Sequence, residues 1–321
     1  MAARTVGFLH NGTKGSFQKQ YAAFLRRLHD FVEEGDVRVR ERWAGDDTSK
    51  TLEQHAKDLV DAGVQVLVAA GGPPSALAAQ KAAGGKTPVV FMSVTDPVGL
   101  GLVKDIDEPG GNLTGIAGLT SELDITRLEI LHELLGEKKG ARIGILNNSK
   151  RPKLEEQYAT LAAAAAGLNV TPVRMDASSL AEIENAFASF KGGQKVEAVL
   201  VTADSMFNNL RKQVVRFAAA AGLPAIYQWR EFPEAGGLMS FGPNILDAYA
   251  QVGEYAGHIL DGIEPDDLPV ALPDRLELVV NLRTAYSQKV RIPASLLTRA
   301  EFVKGRTRTR KSRALNYGTA K

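Results

Sequence analysis

Short apolar runs alternate with longer amphipathic segments through the first two thirds of this chain, and that rhythm leaves few folds open. "RTVGFLH" (4–10), "VRVRERW" (37–43), "VQVLVAA" (64–70) and "PVVFMSV" (88–94) have strand length and content. Between them lie helical patterns at about 15–34, 49–63 and 73–83, the last opening on "PP", where prolines without an N–H cost a helix nothing. The rhythm restarts at "SELDITRLEILHELLG" (121–136), whose Ser121 and Asp124 match a capping box. Strands at 141–148, around 170–177, at 196–205 and at 223–229 then alternate with helices at 151–167, 178–193 and 207–222. Strands separated by helices of ten or more residues imply parallel sheets covered on both faces. Two consecutive arrays, 1–118 and 119–235, imply two such layers, and the pieces after 235 complete the sheets or cross between them.

Composition agrees with a soluble globular protein: 321 residues, 44% hydrophobic and 24% charged. There is no apolar run of 18 residues to span a membrane. "MAARTVGFLH" passes into a strand without an apolar leader, which read literally means cytoplasm. With no cysteine, thiol chemistry and cysteine-ligated metals drop out. Residues 304–321 carry seven Lys or Arg and no acid; taking those seven from the net +2 leaves the first 303 residues at −5. A solvated, disordered tail is expected there, the alternative being a patch for nucleic acid or anionic lipid. A short tail without interleaved aromatics gives no reason to expect nucleic-acid binding.

Motifs for chemistry fail on spacing. "GFLHNGTK" (7–14) has Thr13 between Gly12 and Lys14, so it is not a P-loop. "GLGLVK" (99–104) has Lys104 where a dinucleotide fingerprint needs its third glycine. No two of the five histidines are paired at i, i+4; His55 and His132 are expected on solvent faces, and only His10 at a cleft. No metal, cofactor or catalytic residue is assigned.

What remains is the set of loops at the carboxyl ends of the strands, the edge where parallel sheets bind ligands. They supply Asn11 and Gly12, then Gly71, Gly72 and Ser75, then Ser93, Thr95 and Asp96, and from the second array Asn147, Asp204 and Tyr227. Free N–H groups at the start of the helix after Gly71–Gly72 suit a carboxylate. Asp96 either meets an ammonium group or caps the turn with Pro97; Tyr227 and Trp229 either form an aromatic wall or pack in the core. Ser240 lies near a crossing segment. The run "SVTDPVGLGLVKDIDEPGGNLTG" (93–115) reads as ligand rim at its start and as a crossing between arrays at "PGGNLTG".

Several blocks resemble one family. "VLVAAGGPPSALAAQKA", "PVVFMSVTDPVGLGLVKDIDEPGGNLTG", "GGLMSFGPN" and "DDLPVALPDRLELVVNLRTAYSQKVRIPASLLTRAEFV" are similar to ABC-transporter substrate-binding proteins grouped with tryptophan- and tyrosine-type uptake. The likeness runs from about 4 to 303 and implies the type I periplasmic-binding-protein fold: an α/β chain of two Rossmann-like lobes with parallel sheets, joined by a hinge. It implies lobes of 1–118 plus about 240–270 and of 119–239 plus about 271–303. It further implies a monomer that traps a small solute, an amino acid or related carboxylate, for an ABC permease in the membrane, and a periplasmic location. A cytoplasmic ligand sensor on the same fold is the alternative.

Overall fold

The computed structural model describes residues 4–93, 96–118, 123–273 and 275–303, and among these the strands fall into two sheets. The first joins β1 (Arg4–His10), β2 (Val37–Trp43), β3 (Val66–Ala69), β4 (Val89–Ser93) and β5 (Leu113–Ala117) in the order β2-β1-β3-β4-β5, every pair parallel. Sequence sets position here. β3 is apolar and buried at every residue and sits centrally, whereas β2 alternates Val with Arg and takes the edge. Helices α1 (Gln18–Leu28), α2 (Leu52–Asp61) and α3 (Pro73–Ala83) make the crossovers.

The second array supplies α4 (Leu123–Leu134), β6 (Arg142–Asn147), α5 (Leu154–Gly167), β7 (Thr171–Asp176), α6 (Leu180–Lys191) and β8 (Ala198–Val201). It continues through α7 (Ser205–Asn209), α8 (Arg211–Ala221), β9 (Ala225–Tyr227), α9 (Glu231–Glu234) and β10 (Met239–Pro243). The single helix expected over 207–222 breaks at Leu210, which closes α7 and opens α8.

After β10 the chain returns to the first lobe as α10 (Ile245–Leu260), which packs along α1. Gly253 and Gly257 make this possible: a Cβ on Gly253 would lie 2.4 Å from the Phe24 carbonyl oxygen, and one on Gly257 2.6 Å from Phe31 Cβ. Ala271 pairs with Ile116 beside β5, and the chain crosses again to β11 (Leu276–Val280), α11 (Leu282–Ser287), α12 (Ala294–Arg299) and β12 (Ala300–Phe302). The second sheet therefore reads β12-β11-β10-β9-β8-β6-β7, with one antiparallel pair, β10 with β11.

Two expectations change. The stretch from 240 assigned to the first lobe begins with β10, a strand of the second sheet, and joins the first lobe only at α10. "PGGNLTG" does not cross between lobes. Pro109 to Gly111 precede β5, at the strand end away from the crossing, and the Gly110 N–H donates to Asp266 at 2.6 Å. The chain leaves the first lobe after Ala117 instead.

Candidate ligand site between the lobes

The carboxyl ends of the two sheets face each other across a cavity of about 300 Å³. Asn11, Pro73 and Pro74 line it from the first lobe; Asn148, Arg151, Asp204 and Ser205 are among its lining from the second. Another cavity joins Asp96 to Lys153 and Glu156, but this one gathers the loops after β1, β3, β6, β7 and β8.

His10 braces the first wall. Tyr249 on α10 donates its hydroxyl proton to the Ala70 carbonyl at 2.9 Å, so at its 2.9 Å contact with His10 Nε2 it accepts. The Gly12 N–H donates to His10 Nδ1 at 2.8 Å. Both nitrogens are thus committed as a neutral ring protonated on Nε2, and burial lowers the imidazole pKa to about 3. The ring ties the loop after β1 to the loop after β3. Gly71 stands between them: a Cβ there would fall 2.2 Å from Ser75 Oγ and 2.8 Å from Asn11 Oδ1. Gly72 holds φ 79°, a left-handed value suited to glycine, and caps α3 without a side-chain bond. Pro73 and Pro74 fill the first helical positions, so that end of α3 has fewer N–H groups to offer an anion than its position alone implies.

The second wall carries the formal charge. Asp204 caps α7, accepting the Met206 N–H at 2.8 Å. Its pKa is raised by burial, against the bond from Met206, the Asn148 side chain and the charge of Arg151. Arg151 is 7% exposed. Its Nη1 lies 3.9 Å from Asp124 Oδ2, a carboxylate already bonded to Arg127 Nη1 at 2.5 Å, and its Nε and Nη2 have no protein partner. Asn11 Oδ1, Ser75 Oγ, both amide atoms of Asn208 and Gln228 Oε1 are likewise buried without partners. Of these residues Asn11 and Arg151 line the cavity, where a ligand's polar groups could satisfy them.

Bonds around the cavity hold the lobes together. Asn11 Nδ2 donates to Ser205 Oγ at 2.9 Å, Arg211 Nη2 to the Ser16 carbonyl at 3.2 Å, and Gln20 Nε2 to Glu231 Oε1 at 3.1 Å.

A family model described as "ABC transporter substrate binding protein" matches residues 16–304. The chain belongs to that family. It is a solute-binding protein for a small polar ligand delivered to an ABC transporter, with the two-lobed, hinged fold typical of non-catalytic binders. A tyrosine-binding protein of Clostridioides difficile is 28% identical over 268 residues, covering 83% of this chain and 75% of that one. Among solved structures, an ABC domain from Streptococcus pneumoniae in complex with L-Trp is 26% identical with a TM-score of 0.80, covering 93% of this chain and all of the other. A conserved domain protein of Vibrio cholerae is 25% identical with a TM-score of 0.82, covering 94% and 99%.

In this substrate-binding protein the sequence-derived residues separate into groups. Asn11 and Asp204 line the cavity, and Gly12, Gly71, Gly72 and Ser75 shape the wall behind Asn11. Asn147 is one residue short: its Nδ2 donates to Asp176 at 3.1 Å, and Asn148 faces the cavity. Asp96 accepts the Val98 N–H at 3.0 Å, so it caps its own turn, and it borders a different cavity with Lys153 and Glu156. Ser93 ends β4, while Thr95 lies outside the described residues, as does the Ser121 cap. Tyr227 and Trp229 form no aromatic wall: both are buried, and Tyr227 stacks on Phe232 at 4.6 Å inside the second lobe. Ser240 is buried in β10 opposite Tyr227. His55 is not on a solvent face but 1% exposed, its Nε2 3.0 Å from the Asp47 carbonyl, and His132 is half-buried.

Arg151 was missed because "RPKLEEQ" reads as the opening of a helix. The helix starts only at Leu154, after Lys153 takes a left-handed φ of 56°, which leaves Arg151 on the loop after β6.

Proposed function

We propose that the solute is an α-amino acid or a closely related small carboxylate. The observation that carries this is the pairing of Arg151 and Asp204 on one cavity, a cation with two unpartnered N–H groups and a desolvated carboxylate. The ligand carboxylate pairs with Arg151 through Nε and Nη2, the two-point geometry guanidinium favours. Its ammonium group pairs with Asp204. Asn11 and the Gly71–Gly72 turn close from the first lobe. The names of the tyrosine-binding and L-Trp-bound relatives support the same class. The protein acts as a monomer in the periplasm and passes the solute to a membrane permease.

A thermal-shift panel of all the common amino acids and small carboxylates tests this. A ligand present at 100 times its Kd stabilises the native state by about 2.7 kcal/mol, so the melting temperature rises by several degrees. The shift should vanish in Asp204→Asn and Arg151→Gln. A flat panel for the wild-type protein would remove the reading. Cell fractionation tests the location, and light scattering the monomer.

A further inference from the structure

We infer that the cavity selects an amino acid with a short hydroxyl or carboxamide side chain over an aromatic one; this rests on the amino-acid reading above. With the carboxylate and ammonium groups assigned to Arg151 and Asp204, the rest of the described lining decides what the side chain meets. No aromatic residue is in it. Its apolar members are three prolines, Ala203 and Met206. The nearby aromatics are committed elsewhere. Tyr227 stacks on Phe232, and Phe17 and Trp43 pack against His10 at centroid distances of 4.1 and 5.0 Å.

What the first lobe presents is polar and unpaired. Asn11 Oδ1 is buried without a partner while Asn11 Nδ2 is spent on Ser205, and Asn148, Lys150, Ser178 and Ser205 keep the rest of the lining polar. An aromatic ring against this lining leaves its polar groups desolvated and unbonded. A hydroxyl or carboxamide donates and accepts at once and so satisfies them. Sites built to hydrogen-bond a ligand group reject analogues without it strongly, because the protein's own polar atoms are left unpaired.

The test is calorimetric titration of the full chain with L-Ser, L-Thr, L-Asn and L-Gln against L-Phe, L-Tyr and L-Trp, with L-Glu and L-Leu as further probes. At least one of the first four should bind about 100-fold or more tighter than each aromatic amino acid. Asn11→Ala should narrow that gap by about tenfold, with a cooperative ligand-free unfolding transition showing that the variant is folded. Tightest binding by an aromatic amino acid, by L-Glu or by L-Leu overturns the inference and leaves the amino-acid reading standing. Binding of none of the amino acids overturns both.

Discussion

His10 shows how much one side chain sets at this site. Its ring fixes Gly12 on one side and, through Tyr249, Ala70 on the other, so it positions the loops that carry Asn11 and Gly71 without lining the cavity. Protonating it would cost the bond at Nδ1 and place a charge in the core. The folded pKa of about 3 lies below the unfolded value of 6.5, so the neutral ring's contribution is complete above pH 6.5 and is lost as pH falls toward 3. The expected loss is about 1.4 kcal/mol per pH unit in that window. Denaturant unfolding at pH 7 and pH 5 should show it, and His10→Gln should flatten the profile while lowering stability at pH 7. Glu231 carries the opposite sign. Burial raises its pKa to about 7, with the Glu234 and Glu277 charges adding to the shift. Its contribution is complete below the ordinary 4.5 and lost as pH rises through 7. Glu231→Gln should therefore gain stability over wild type at pH 8, by up to about 3 kcal/mol, in the same unfolding measurement. Neither residue's role was legible in sequence. Histidine at a strand end suggests a cleft, but whether it faces the ligand or braces the loops depends on Tyr249, 239 positions away.

At the level of elements, the sequence is most informative where periodicity and burial coincide. The all-apolar β3 and β8 and the alternating β2 follow from local pattern, as does the cap at Ser179, which accepts the N–H of Glu182; the helix read from 49 starts only at Leu52, capped by Thr51. What local pattern misses is set by partners far along the chain. β10 hides in "GGLMSFGPN" because it is short and its pairing with β9 and β11 is tertiary. The α7–α8 break is invisible because both halves share one apolar rhythm. The close packing of α1 on α10 depends on "GEYAG", two glycines at i, i+4 that in isolation read only as weak helix formers. Gly253→Ala should destabilise the protein by about 1–3 kcal/mol despite the better helix propensity of alanine, because the new methyl meets the backbone of Phe24 and Leu28. Thermal unfolding checks this. Gly110, whose φ is 70°, sits in a turn tied to Asp266 on the far side of the sheet, so its substitution should act on folding and leave ligand affinity nearly unchanged.

On the scale of the whole molecule, the two-lobed architecture was legible because two arrays of strands and helices follow one another, but the geometry of the cleft was not. Which strand-end residues turn inward, Asn148 in place of Asn147 and Arg151 rather than Tyr227, depends on partners that local pattern does not show, such as Asp176 for Asn147 and Phe232 for Tyr227. Hydrogen bonds such as Asn11 to Ser205, Arg211 to Ser16 and Gln20 to Glu231 join the lobes, a kind of contact that a reversible closure can make and break. Arg211→Ala removes the bond to the Ser16 carbonyl outside the cavity lining. Ligand affinity should fall about threefold to tenfold, mainly through faster release, and small-angle scattering of the ligand-saturated variant should show a larger radius than wild type. The return of the chain to the first lobe also bears on synthesis. The buried face of α1, with Tyr21, Phe24 and Leu28, packs partly on Phe8 and Trp43 of the first sheet and is completed by α10. Residues 123–243, the bulk of the second lobe, are made in between. The lobe that emerges first from the ribosome is therefore not the first that can finish folding. A nascent chain shorter than about 260 residues leaves the part of α1 that α10 covers exposed, waiting for a segment not yet translated.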